Sequence, residues 1–104
     1  TYTVDFAKNV QQVINKNLFG LYNLVCGGLT SRFDVACEML KILGLENKIK
    51  INKVSSDYFK KEYFAKRPRS ERLINKKLDL RGLNLMRDWK EALTEYIGEI
   101  NLSE

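Results

Sequence analysis

The side chains best equipped to bind something lie in one stretch. Residues 60–81 hold Lys60, Lys61, Lys66, Arg67, Arg69, Arg72, Lys76, Lys77 and Arg81 against three acids, a local excess of six positive charges, while the rest of the 104-residue chain sums to −1. Tyr58, Phe59, Tyr63 and Phe64 are interleaved with the first of these cations. Guanidinium forks match phosphate oxygens bidentately, and aromatic faces stack on a base or a guanidinium, so the chemistry on offer is recognition of an anionic, nucleotide-like ligand. A plainer reading stands beside it: long cationic side chains covering apolar surface, with the aromatic rings in the core. A stand-alone anion or nucleic-acid-binding module is a third, since six excess charges could neutralise several backbone phosphates, although no helix-turn-helix, RNP-type or KH-type pattern supports nucleic acid. A protein-interaction domain whose basic stretch docks an acidic partner is a fourth.

Other chemistries are excluded by what is missing. The sequence has no histidine, which removes the commonest general base, the commonest metal ligand and the Ser/His/Asp and Cys/His triads. It has no GxGxxG and no GxxxxGK, and Gly27-Gly28 stands without the third glycine of a dinucleotide fingerprint. A tyrosine acid with a lysine four positions later is absent too: Tyr2, Tyr22, Tyr58, Tyr63 and Tyr96 are followed at that spacing by Phe6, Cys26, Glu62, Arg67 and Ile100. The carboxylates are dispersed, and no metal site is expected. The chain by itself is therefore expected to turn nothing over and to bind no cofactor. Cys26 and Cys37 lie eleven positions apart in apolar surroundings, fit neither CxxC metal spacing nor a disulfide framework, and read as reduced core residues. Trp89 reads as core or interface. No apolar run approaches the ~20 residues of a membrane span and no signal-peptide pattern opens the chain, so the expected compartment is the cytoplasm.

The elements that must position these residues follow from periodicity. The spacing i, i+4, i+7, i+8 recurs as Phe6, Val10, Val13, Ile14, as Val35, Met39, Ile42, Leu43 and as Trp89, Leu93, Tyr96, Ile97, predicting three amphipathic helices. Thr3 is the expected N-cap of the first, with Asp5 in its first turn. Ser31 and Asp34 form a capping-box start for the second, and Gly44 its exit. Asp88 followed by Glu91 caps the third. Leu21–Cys26, closed by Gly27-Gly28, reads as a strand, and Ile49–Val54 alternates as a half-buried strand does. Strand, helix and strand in that order predict a right-handed βαβ unit with parallel strands. Two strands alone make a poor sheet and need helices as cover or further strands from elsewhere. Between them and the last helix, Ser55–Asp57 should cap a short helical turn, Leu73-Ile74 could make a short edge strand, and Asn75–Leu80 a short helix ending near Gly82. The expected fold is mixed α/β, three main helices around a small, partly parallel sheet, as a single unit over residues 1–104.

The order of segments resembles a known family. Thr1-Tyr2-Thr3-Val4-Asp5-Phe6-Ala7, Gly20-Leu21-Tyr22-Asn23-Leu24-Val25, Thr30-Ser31-Arg32-Phe33-Asp34-Val35-Ala36, Val54-Ser55-Ser56, Lys66-Arg67-Pro68 and Trp89-Lys90-Glu91-Ala92-Leu93 are similar to the C-terminal part of the dTDP-4-dehydrorhamnose reductases. These belong to the extended short-chain dehydrogenase superfamily of nucleotide-sugar reductases, epimerases and dehydratases. The resemblance implies the substrate-binding lobe of a larger Rossmann-type enzyme whose missing N-terminal domain would hold NADH or NADPH and the tyrosine and lysine pair, an implication with which a start at Thr1 agrees. It implies a nucleotide-diphosphate sugar as ligand, dTDP-linked first, reduction of a 4-keto sugar in deoxysugar and cell-surface polysaccharide synthesis, and room for a homodimer. The family's Arg-Pro element falls on Arg67-Pro68, which implies diphosphate contact by Arg67, then by Arg69 and Arg72. The chain departs from many members at Ser70-Glu71 and Ile74, which leaves open the sugar and an epimerase or dehydratase relative.

Overall fold

The structure, a computed structural model, describes residues 1–62, 65 and 68–102, with side chains as far as residue 100. Helix α1 spans Thr3–Asn15, α2 Arg32–Ile42, α3 Lys76–Leu80 and α4 Trp89–Leu102, with a 3-10 turn at Ser56–Phe59. The chain forms two compact units, one of Thr1–Leu29 with Leu73–Glu104 and one of Thr30–Arg72.

The first unit holds α1, α3 and α4. Its apolar core is Leu78, Met86, Ala92 and Ile97. The stripe expected to bury α1 is only half used: Val10 and Val13 are half-buried while Phe6 and Ile14 are exposed. The line that enters the core is polar, Asp5 at 3 % and Asn9 at 0 % exposure. Each is buried because a partner meets it, as buried polar groups require. Asp5 receives both Nε and Nη2 of Arg87 at 3.0 Å, a bidentate pair, and Arg87 Nη1 donates to Glu95 of α4. Asn9 donates from Nδ2 to the Leu83 carbonyl and accepts the Leu85 N–H, both at 2.9 Å. The cap of α1 is also corrected. Tyr2 holds the N-cap position, its carbonyl accepting the Phe6 N–H, and Thr3 is already helical.

Other helix limits agree with the sequence. Ser31 Oγ accepts the Asp34 N–H at 3.2 Å and Asp34 Oδ2 accepts the Ser31 N–H at 3.1 Å, a complete capping box. Gly44 (φ +66°) and Gly82 (φ +65°) follow α2 and α3. Asp88 precedes α4 and accepts the Lys90 N–H at 2.9 Å. The second unit consists of α2, whose Leu40 is buried, the segment after it and the 3-10 turn.

The expected sheet is corrected. Among the described residues the single β-pairing is a parallel bridge between Gly27 and Asp88, and neither Leu21–Cys26, Ile49–Val54 nor Leu73-Ile74 forms a strand. A strand needs a neighbouring row of N–H and C=O groups, and hydrophobic alternation reports burial without supplying that row. At Val25 the row is replaced by a side chain: Asn75 accepts the Val25 N–H through Oδ1 at 2.9 Å and donates from Nδ2 to the Val25 carbonyl at 2.8 Å. In Ile49–Val54, Ile51 is half-buried with Ile49 and Val54 exposed, so the alternation describes one covered side chain without a paired backbone. The cysteines are free, as expected, but Cys26 is half-buried and Cys37 exposed, so neither is a core residue.

Candidate functional site

The basic stretch is divided between the two units. Lys60, Lys61, Arg69 and Arg72 belong to the second, Lys76, Lys77 and Arg81 to the first. Arg67, the foremost candidate for the diphosphate, lies outside the described residues, as do Lys66, Tyr63 and Phe64. Pro68, Arg69 and Arg72 are exposed. Among the described residues neither arginine has a hydrogen bond or ion pair, and no such contact joins them to each other. The aromatic pair ahead of them is not core, contrary to the plainer reading. Tyr58 is 73 % exposed and meets Phe59 edge to face, with ring centroids 5.1 Å apart. The 3-10 turn that carries both rings runs directly into Lys60 and Lys61. In this unit Lys53 Nζ also sits 5.3 Å over the Phe33 ring, and the Ser31 hydrogen bond first, opposed by partial desolvation, holds the Asp34 carboxyl below its ordinary value. The second unit thus offers exposed rings and free guanidinium groups, the parts an anionic, base-bearing ligand uses.

In the first unit Lys77 and Arg81 are spent on the chain itself. Lys77 Nζ lies 4.7 Å over the Tyr22 ring and donates to the Leu21 carbonyl at 3.4 Å. The Arg81 guanidinium also lies over that ring, at 5.6 Å, and donates to the Tyr22 hydroxyl, which in turn donates to the Leu18 carbonyl at 2.7 Å. Gly20 stands beside this clamp in a positive-φ backbone conformation that favours glycine. At φ +139°, a Cβ there would come 2.7 Å from Lys77 Nζ. Neither the clamp nor the Asn75 bridge was readable from spacing, because the partners lie 50 or more positions apart; the one local signal is Gly20 ahead of an aromatic.

The residues present do not fit a dinucleotide cofactor. Gly28 (φ +83°) gives its space to the start of α4, since a Cβ there would meet Asp88 Oδ2 at 2.6 Å and Trp89 Cδ1 at 2.8 Å. A carboxylate at that place repels a pyrophosphate where a fingerprint glycine would admit one. Trp89 is half-buried beside it, in keeping with core or interface. Among the described residues no three His, Cys, Asp or Glu side chains group as metal ligands, and no helix is long and apolar enough to cross a membrane.

Among the described residues the chain is helical with one β-bridge, and Tyr58, Arg69 and Arg72 are exposed. The chain belongs to the RmlD substrate binding domain family, whose model matches residues 1–102. It is also similar to the crystal structure of a dTDP-4-dehydrorhamnose reductase, an RfbD ortholog from Clostridium acetobutylicum, with a TM-score of 0.87 and 33 % identity over 95 % of this chain. It spans about a third of that reductase, 34 % of its length. No curated protein matches.

Proposed function

We propose that this chain is the nucleotide-sugar-binding portion of an NAD(P)-dependent reductase of the dTDP-4-dehydrorhamnose reductase type. The observation that carries the reading is the family match over residues 1–102, which names a substrate binding domain. The reductase similar to it, three times as long, supports a parent whose remaining part supplies NADH or NADPH chemistry. Bound in that part, the cofactor would supply hydride chemistry for a keto sugar. The chain's own part is binding. Arg69 and Arg72 present free guanidinium forks to the diphosphate, joined by Arg67, and Tyr58 offers a face to the base. Binding energy collected at this remote end positions the sugar for reaction elsewhere. A cytoplasmic location and 4-keto sugar reduction follow from the same reading, as does the preference for a dTDP-linked ligand.

Isothermal titration of the chain with dTDP and UDP tests it. Binding of dTDP weakened about tenfold or more by Arg67→Ala, and to a lesser degree by Arg69→Ala and Arg72→Ala, is the expected result, since one charge-assisted phosphate contact is worth roughly 1.5–3 kcal/mol. Affinity unchanged in all three variants removes the site. Steeply salt-dependent DNA binding with no response to dTDP would put a polyanion module in its place.

A further inference from the structure

We propose that the backbone edge formed by Tyr22, Leu24 and Cys26 is an open pairing site that takes one extended, apolar β-strand from the cofactor-binding part of the parent enzyme; the inference rests on the reading above that such a part exists.

The argument is an accounting of backbone groups. Val25 exchanges both its N–H and its carbonyl with the Asn75 side chain. Gly27 donates to the Arg87 carbonyl at 2.9 Å and accepts the Trp89 N–H at 3.1 Å. The Leu21 carbonyl accepts from Lys77. All three residues are odd-numbered. In an extended chain successive peptide groups point to opposite edges, so these bonds engage one edge at residues 21, 25 and 27, with Asn23 contributing only its side chain, whose Nδ2 donates to the Ile74 carbonyl at 3.1 Å. The other edge carries the even residues, and there the N–H and carbonyl groups of Tyr22, Leu24 and Cys26 have no partner among the described residues.

Such an edge is a template for pairing. Its three residues are half-buried, so this is no freely solvated loop. The residues flanking it in sequence are apolar and uncovered: Phe19 is 81 %, Leu21 88 % and Leu29 64 % exposed. A strand that pairs here and covers such neighbours is itself apolar, as strands buried on both faces are. The source is set by length, since two thirds of the similar reductase lies beyond the matched region. On this proposal the strand expected at Leu21–Cys26, absent from the chain as described, would form only with that partner.

Amide hydrogen exchange and NMR of the 104-residue chain, and of the full-length protein from the reading frame that contains it, test the proposal. In the chain alone the Leu24 and Cys26 amides should exchange near free-peptide rates while Val25 and Gly27 are protected. In the full-length protein Leu24 and Cys26 should gain about 100-fold protection or more, with cross-strand contacts to residues outside this segment. Unchanged fast exchange in the full-length protein overturns the proposal. So does protection in the chain alone that grows with concentration, which would assign the edge to a second copy, and so does protection without cross-strand contacts. Nucleotide-sugar binding is measured separately on the same samples. Binding with an unprotected edge sinks only this inference, and a paired edge without binding sinks only the functional reading.

Discussion

Asparagine does the work of backbone in this molecule. The Asn75 carboxamide presents a donor and an acceptor to Val25 as a neighbouring peptide would, and its second N–H reaches Asn84 Oδ1 at 3.2 Å. Asn84 passes the network on, accepting the Met86 N–H at 3.1 Å and donating to Asp79 at 2.7 Å. Asn75→Ala leaves two partly buried backbone groups of Val25 unmatched and should cost about 2 kcal/mol, read by urea denaturation. Asn75→Asp should cost more above neutral pH, because it keeps the acceptor while turning the donor into a charge facing two oxygens. A variant as stable as the parent would show that water replaces the amide without loss. In the sequence Asn75 stood at the start of a short helix, and nothing in its spacing distinguishes an amide that caps from one that bridges. Tyr2 supplies a second residue-scale prediction. Its hydroxyl donates to Glu99 at 3.1 Å, and partial burial first, then that carboxylate, push the phenol up to about 12. A folded value above the unfolded one means its contribution is fully present below the ordinary tyrosine value near 10 and is lost as pH rises through about 12. Ultraviolet titration should therefore find one late-ionising tyrosine that Tyr2→Phe removes; five tyrosines titrating together would contradict it.

Elements were legible where their determinants are local. The capping box of α2 needs only Ser31 and Asp34, three positions apart, and both reciprocal bonds are present. Ser31→Ala should cost about 1 kcal/mol, the usual effect of losing such a cap. It should also return Asp34 toward an ordinary carboxylate value, because the Ser31 bond is the main cause of its lowering. The sign is that of a depressed acid: the contribution is present above the unfolded value and fades as pH falls through the folded one, so the variant should show a weaker acid-side loss of stability. Carbon-detected titration of the Asp34 carboxyl checks this, and an unchanged midpoint in Ser31→Ala would assign the shift to another neighbour. Strands were legible only in part because their determinants are not local. Leu21–Cys26 carries the residue types of a strand, but the backbone bonds it makes, at Val25 and at the Leu21 carbonyl, are with side chains 50 or more residues away. Helix α1 shows the same limit from the other side. Its period was right, whereas the face that is buried was decided by Arg87 and by the Leu83–Leu85 backbone, far along the chain.

At the scale of the molecule, the charge that marked one stretch of sequence separates into two uses. Lys77 and Arg81 clamp Tyr22 in the first unit, while Arg69 and Arg72 stay free in the second, so the candidate site is smaller than the run of cations that pointed to it. Apolar surface sorts in a comparable way. The small core of the first unit is shared with Asp5, Asn9 and Asn75, while Leu21 and Leu80 line an open groove of about 360 Å³ at 88 % and 78 % exposure. Side chains so exposed contribute little to the fold of this chain, and their apolar area is the kind that a further part of the proposed parent enzyme would cover. The double substitution Leu21→Ser with Leu80→Ser should therefore change the stability of the 104-residue chain by no more than about 1 kcal/mol, as surface changes do, while lowering its binding of a hydrophobic dye. In the full-length protein the same pair should cost about 2 kcal/mol or more, since it then removes buried apolar area. Equal costs in the two contexts would show that the groove stays open to water in both, and a large cost in the short chain would show that these leucines already belong to its core.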